Sequence, residues 1–92
     1  LDDYLGATRD DLKELRAAQA SGDLERLARQ AHKLKGAARL VGAMPLAGAA
    51  MALEAAAKAG QWDQVLPHAA DVATAFERLD RYVAETFGAP GQ

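Results

Sequence analysis

The chain has 92 residues, half of them apolar, with a formal net charge of -2 and no cysteine. That is one small domain with enough apolar material for its own core. It excludes a disulfide framework and a thiolate metal site, and it argues against a nucleic-acid binder, which usually shows a basic excess. No apolar run approaches the roughly 18 residues needed to cross a bilayer. No signal peptide is visible, and the sequence opens on Leu1 rather than Met, as expected of a piece of a longer polypeptide.

Alanine is abundant, β-branched residues are few, and no stretch alternates with period two, so the whole chain reads as helix. The first helix is predicted over 2–20, with Leu1, Leu5, Thr8, Leu12 and Leu15 spaced by fours and threes along one stripe. Ser21 and Gly22 end it, the glycine suiting the left-handed position after a helix. Asp23 caps the second helix, predicted over 23–41, by accepting a bond from an orphan amide. Its stripe is Leu24, Leu27, Ala31, Leu34, Ala38 and Val41, and Gly42 closes it.

This second helix carries the most informative stretch, residues 29–42, RQAHKLKGAARLVG. His32 lies among Arg29, Lys33, Lys35 and Arg39, and no acidic residue occurs from position 26 to position 53. Gly36 stands inside the helix, where replacing Ala by Gly costs about 1 kcal/mol, so it serves something other than helix stability. His32, Lys35 and Gly36 fall at i, i+3 and i+4 and share a face. On a helical wheel His32 lies roughly 130° from the centre of the apolar stripe and Lys35 roughly 70°. His32 is therefore placed at the surface and Lys35 on the flank, its stem against apolar neighbours.

The third helix is predicted over 45–59, with Pro45 in its first turn, Leu46, Ala50, Leu53 and Ala57 as its stripe, and Gly60 at its end. Met44 is a poor cap. Ala49, Ala50, Ala56, Ala57 and Gly48 allow close approach of neighbouring helices. The fourth helix is predicted over 62–87, with Asp63 as its cap and a stripe of Val65, Leu66, Ala69, Val72, Phe76, Leu79, Val83 and Phe87. Pro67 requires either a bend or a later start. Trp62 is expected to plug the bundle end, His68 to be a surface residue, and Glu77, Arg78, Asp80 and Arg81 to form a solvated face. Residues 88–92 are read as a flexible tail. Short connections favour antiparallel neighbours, so the fold class is all-α, an antiparallel up-down-up-down four-helix bundle over 1–87.

Glu54 and Lys58 follow the core positions Leu53 and Ala57 and are four apart, which by itself is an ordinary surface ion pair. If that flank faces His32, the Glu54 carboxylate accepts the Nδ1 proton and leaves the Nε2 lone pair free as a nucleophile. Lys35, and less directly Lys58, would then steady an anionic group on Nε2, for which a phosphoryl group is suitable.

The run His32-Lys33-Leu34-Lys35-Gly36-Ala37-Ala38, then Val41-Gly42, Leu46 and Leu53-Glu54, resembles the motif of the histidine-containing phosphotransfer (HPt) domains of bacterial phosphorelays. The resemblance covers essentially the whole chain. It implies that His32 accepts and donates phosphoryl through Nε2, that Glu54 orients the imidazole, that Lys35 neighbours the phosphate, and that Gly36 admits the partner's active site. Lys58 matches more loosely, where some members carry an arginine, and Arg29, Lys33 and Arg39 are further candidates around the histidine. The family usually has a further helical stretch ahead of the bundle, whereas this sequence opens at Leu1 already in the first long helix.

The resemblance further implies receiver domains as partners, one of a hybrid kinase and one of a response regulator, with Mg2+ supplied by the receiver and no cofactor in this domain. Residues 31–42 look most like the HPt domain at the C-terminus of hybrid sensor kinases. That implies a cytoplasmic monomer, or the cytoplasmic end of a membrane-anchored sensor kinase, without direct membrane contact. The sequence has no glycine-rich phosphate loop and no acidic metal cluster near the histidine, so no ATP site is expected. Three alternatives stand beside this reading: a non-catalytic HPt-like docking module, a helix-turn-helix DNA-binding domain over 31–53, and a metal site from His32, Glu54 and His68.

Overall fold

In the computed structural model, residues 2–87 are described, with side chains from 6 to 86. They form α1 (Asp2–Ser21), α2 (Leu24–Leu40), α3 (Met44–Lys58) and α4 (Trp62–Phe87). Each helix packs against the next in sequence, α2 and α3 most extensively. Among the described residues there is no strand, and the architecture is the all-α, up-down-up-down bundle.

The three turns share one construction. Gly22, Gly42 and Gly60 take φ of +73°, +74° and +69°, a backbone state that side chains with a Cβ rarely adopt. The amide of the following residue reaches back five positions, Asp23 to Ala18, Ala43 to Ala38 and Gln61 to Ala56, at 3.1, 2.9 and 3.1 Å. These are Schellman closures, which satisfy carbonyls orphaned at a helix end. Asp23 Oδ1 accepts from the Arg26 amide at 3.0 Å and caps α2. At α3 the capping position falls to Ala43, which offers no side-chain bond, and Pro45 follows in the first turn. Met44 is thus the first residue of the helix rather than its cap. Asp63 lies inside the first turn of α4 rather than at its cap, and Pro67 is carried within the helix, which runs unbroken from Trp62.

The core is made of the expected stripes. Thr8, Leu12 and Leu15 of α1, Leu27, Ala31, Leu34 and Ala38 of α2, Leu46, Ala50, Leu53 and Ala57 of α3, and Val65, Ala69, Val72, Phe76 and Val83 of α4 are buried. Leu24, Leu79 and Trp62 are half-buried against them. Trp62 comes within 3.9 Å of where a Cβ on Gly22 would sit, so it closes the end of the bundle at the first turn. Two stripe assignments are corrected. Leu66 is exposed, because it lies roughly 90° round the helix from the centre of the stripe formed by Val65, Ala69, Val72, Phe76 and Val83. Val41 is exposed because α2 has already ended at Leu40 and the Gly42 turn carries it outward. The predictions for Leu1, Leu5 and Phe87 as core side chains and for 88–92 as a tail fall outside the described residues.

The α1–α4 seam is looser. Arg9 pairs with Asp80 at 2.7 Å and lies over the Phe76 ring, 5.8 Å from its centroid. A gap of about 210 Å³ remains between Leu12 and Leu15 on one side and Ala69 and Ala73 on the other. Asp80 thus reaches α1 through an ion pair that is itself exposed to solvent. The core depends most on the α2–α3 contact, where Leu53 is fully buried. Leu53→Ala is expected to lower unfolding free energy by about 2–5 kcal/mol, read as a fall in the urea midpoint at unchanged slope. A loss under 1 kcal/mol would show that the centre of the bundle lies elsewhere.

Candidate functional site

Small side chains decide how close α2 and α3 come. Ala28 and Ala31 of α2 and Ala50 and Ala57 of α3 are buried at their contact. The approach is near enough that Glu54, beside Leu53 on α3, is itself enclosed, its side chain only 7% exposed. A buried carboxylate is costly unless it is paired and hydrogen-bonded. Glu54 has three partners. Lys35 Nζ donates to Oε1 at 2.9 Å, His32 Nδ1 lies 2.9 Å from Oε2, and Lys58 Nζ lies 3.0 Å from the same Oε2.

These contacts hold the Glu54 carboxyl at about 2, well below its ordinary 4.5; the Lys35 hydrogen bond is the largest cause, and the Lys58 and His32 bonds add to it against the opposing effect of burial. Glu54 is therefore ionised at neutral pH. An ionised carboxylate only accepts hydrogen bonds, so the Nδ1–Oε2 contact places the ring proton on Nδ1. In the neutral ring Nε2 then keeps its lone pair. The His32 side chain is 66% exposed, whereas Lys35 is 18% exposed, its stem packed along the flank. A Cβ built on Gly36 would meet nothing within 4 Å. No packing among the described residues calls for a glycine there.

The other candidate cations divide. Lys58 joins the Glu54 cluster. Arg29 pairs with Glu25 at 3.3 Å. It lines a groove of about 870 Å³ beside His32 with Leu24, Ala28, Ala57 and Lys58. Lys33 turns to α1 and pairs with Asp11 at 3.1 Å. Arg39 is exposed and makes no ion pair among the described residues. Two features were not anticipated from sequence. One is the groove. The other is the pair of bridges tying α1 to α2, Lys33 to Asp11 and Arg26 to Glu14 at 2.6 Å. The three-residue spacing of Asp11 and Glu14 on one flank of α1 was the available signal.

His68 stands apart on α4. It lies partly buried at the surface, with Nδ1 3.8 Å from the exposed Asp71. His32, Glu54 and His68 do not come together, and among the described residues no group of three or more His, Asp or Glu could hold a metal. No helix among them is long and apolar enough to cross a membrane.

An exposed histidine with its tautomer set by a buried carboxylate, cations beside it and a glycine one turn on, on a four-helix bundle, is the arrangement of a histidine phosphotransfer module. The model of one family, described as Hpt domain, matches residues 1–82, and the chain belongs to that family. Its role is accordingly histidine phosphotransfer within two-component phosphorelay, through contact with receiver domains. Comparison with curated proteins and with solved structures finds no match.

Proposed function

We propose that His32 is the phosphoacceptor of a relay step between two receiver domains. Nε2 attacks the phosphorus of a receiver phosphoaspartate in line. The N–P bond forms as the P–O bond breaks, and the electron pair leaves with the aspartyl carboxylate. The proton on Nδ1 stays where it is, so the phosphorylated ring carries formal positive charge. The Glu54 carboxylate, 2.9 Å from Nδ1, offsets that charge, while Lys35 steadies the phosphoryl oxygens. The aspartate of a second receiver then takes the phosphoryl group by the reverse displacement. The observation that carries this reading is the Nδ1–Glu54 bond on a ring whose other nitrogen faces out.

Magnesium belongs, in this reading, to the receiver, where it neutralises charge on the phosphoryl group in transfer. The domain itself uses no cofactor and acts as a monomer. The likeness of residues 31–42 to hybrid sensor kinases supports a position at the cytoplasmic C-terminus of such a kinase, fed by its receiver and emptied by that of a response regulator. The test is to mix the domain with receiver domains charged by acetyl phosphate and to look for acid-labile, base-stable phosphate on His32 by mass spectrometry. Phosphate on another residue, or none from any receiver, would end the proposal. Gly36→Glu is expected to leave the fold intact, since open space surrounds the site, and to slow transfer from a receiver by at least ~100-fold through bulk and charge. An unchanged rate would show that the partner approaches from another side.

A further inference from the structure

The partners of Glu54 are divided unevenly between its two oxygens. Oε1 accepts from Lys35 alone, at 2.9 Å. Oε2 faces both the Nδ1 of His32, at 2.9 Å, and the ammonium of Lys58, at 3.0 Å. One lysine is enough to neutralise one carboxylate, and here there are two. Arg29 and Lys33 add no charge to the cluster, being paired with Glu25 and Asp11. With the ring neutral, Glu54, Lys35 and Lys58 together hold one surplus positive charge. A phosphoryl group on Nε2 brings about two negative charges, and the ring, protonated on Nδ1, then carries one positive charge. The surplus is cancelled when the phosphoryl group arrives.

The two lysines are not equivalent in position. Lys35 shares α2 with His32, three residues on and on the same face. Its flexible stem lets the ammonium turn from Glu54 toward the ring. Lys58 shares α3 with Glu54, four residues on, in the order that favours an ion pair along a helix. It holds the oxygen that faces Nδ1, the nitrogen that does not react. When Lys35 turns to the phosphoryl oxygens, Glu54 loses the partner of its Oε1. An enclosed carboxylate is costly without a cation, and Lys58 is already in place on it.

Resting on the relay reading above, we infer that Lys58 is a positioning residue: the standing counter-ion of Glu54, which releases Lys35 to the phosphoryl group and does not touch phosphate itself. Glu54 then stays ionised throughout the transfer and keeps the proton on Nδ1. The role depends on a carboxylate at position 54, because a neutral amide there needs no counter-ion. Lys58 also stands in the last turn of α3, where any cation meets the negative end of the helix dipole. That contribution is to stability, and it is the same whatever residue occupies position 54.

The test labels His32 with phosphoramidate, a small donor that needs no docked partner. Nε2 bonds to phosphorus as the P–N bond of the donor breaks, and the protonated amine leaves as ammonia with the electron pair. In Lys58→Met the rate constant for labelling is expected to fall about tenfold. The fold is kept, since Lys58 is largely exposed and methionine is a good helix former; circular dichroism checks it. Lys58→Arg recovers the rate to within about twofold of the parent. The Lys58→Met change is then repeated on Glu54→Gln, where it costs less than about twofold because no carboxylate remains to be neutralised. An equal loss on both backgrounds places Lys58 on the phosphoryl group and overturns the inference. So does an undiminished rate in Lys58→Met, or no recovery with arginine. Each of these leaves the relay reading intact. A parent domain that neither phosphoramidate nor any charged receiver labels at His32 ends the relay reading itself, and the inference with it.

Discussion

His32→Gln takes up no phosphoryl group from a charged receiver, a loss of ~10³-fold or more against the parent domain, while its circular dichroism and thermal midpoint stay those of the parent. The two halves of this result have separate causes. The His32 side chain is two-thirds exposed and contributes to no core contact, so removing it opens no cavity. The Gln amide donates to the Glu54 carboxylate as the imidazole does, and the three-way pairing of Glu54 survives. What is lost is the nucleophile: an amide nitrogen has no available lone pair. Retained uptake would mean that another group accepts the phosphoryl. A variant that melts early would mean that the imidazole holds α2 to α3 more than its exposure indicates.

The direction of His32 was legible in the sequence because it needs only the 100° step of a helix and a well-marked apolar stripe. The same arithmetic put Lys35 on the flank and Glu54 beside the core. What arithmetic on single helices does not supply is register between them. Whether Glu54 meets His32, or lies a turn above or below, depends on how α2 and α3 slide past each other. That is fixed by Gly42, whose positive φ turns the chain two residues before α3 begins at Met44. The HPt resemblance carried that register before the structure did. The stripe failed at Val41 and Leu66, where a turn or a one-residue slip decides burial and an apolar side chain alone does not. The divergent fates of Lys33 and Lys58 were beyond the sequence for the same reason: one faces α1 and the other α2, and both look like generic surface lysines. The helix-turn-helix alternative meets a chemical obstacle here, since the exposed face of α3 presents Met44, Gly48, Met51 and Ala55, none of which can hydrogen-bond a base edge through its side chain.

Acid weakens this domain through Glu54, and substituting that residue removes the effect. The carboxyl is held at about 2 in the folded chain against its ordinary 4.5. A folded-state value below the unfolded one means that the unfolded chain binds the proton first as pH falls. The stabilisation is therefore fully present above about pH 5, declines as pH falls through 4.5, and is gone near 2. At 1.36 kcal/mol per unit, the displacement corresponds to about 3 kcal/mol. We expect nearer 2, because His32 and Lys58, two of the three partners, are largely exposed and screened by solvent.

Other carboxylates titrate over the same range, so the measurement is a difference. Urea unfolding of the parent and of Glu54→Gln is followed from pH 7 to pH 2. The gap between them is expected to be largest at neutral pH, where the variant leaves Lys35 without its charged partner, and to close by about 2 kcal/mol between pH 5 and pH 2. Parallel curves would mean that Glu54 is not held as a buried anion. Its hold on the Nδ1 proton would then fail too, because only the ionised carboxylate, unable to donate, leaves that proton no other place on the ring.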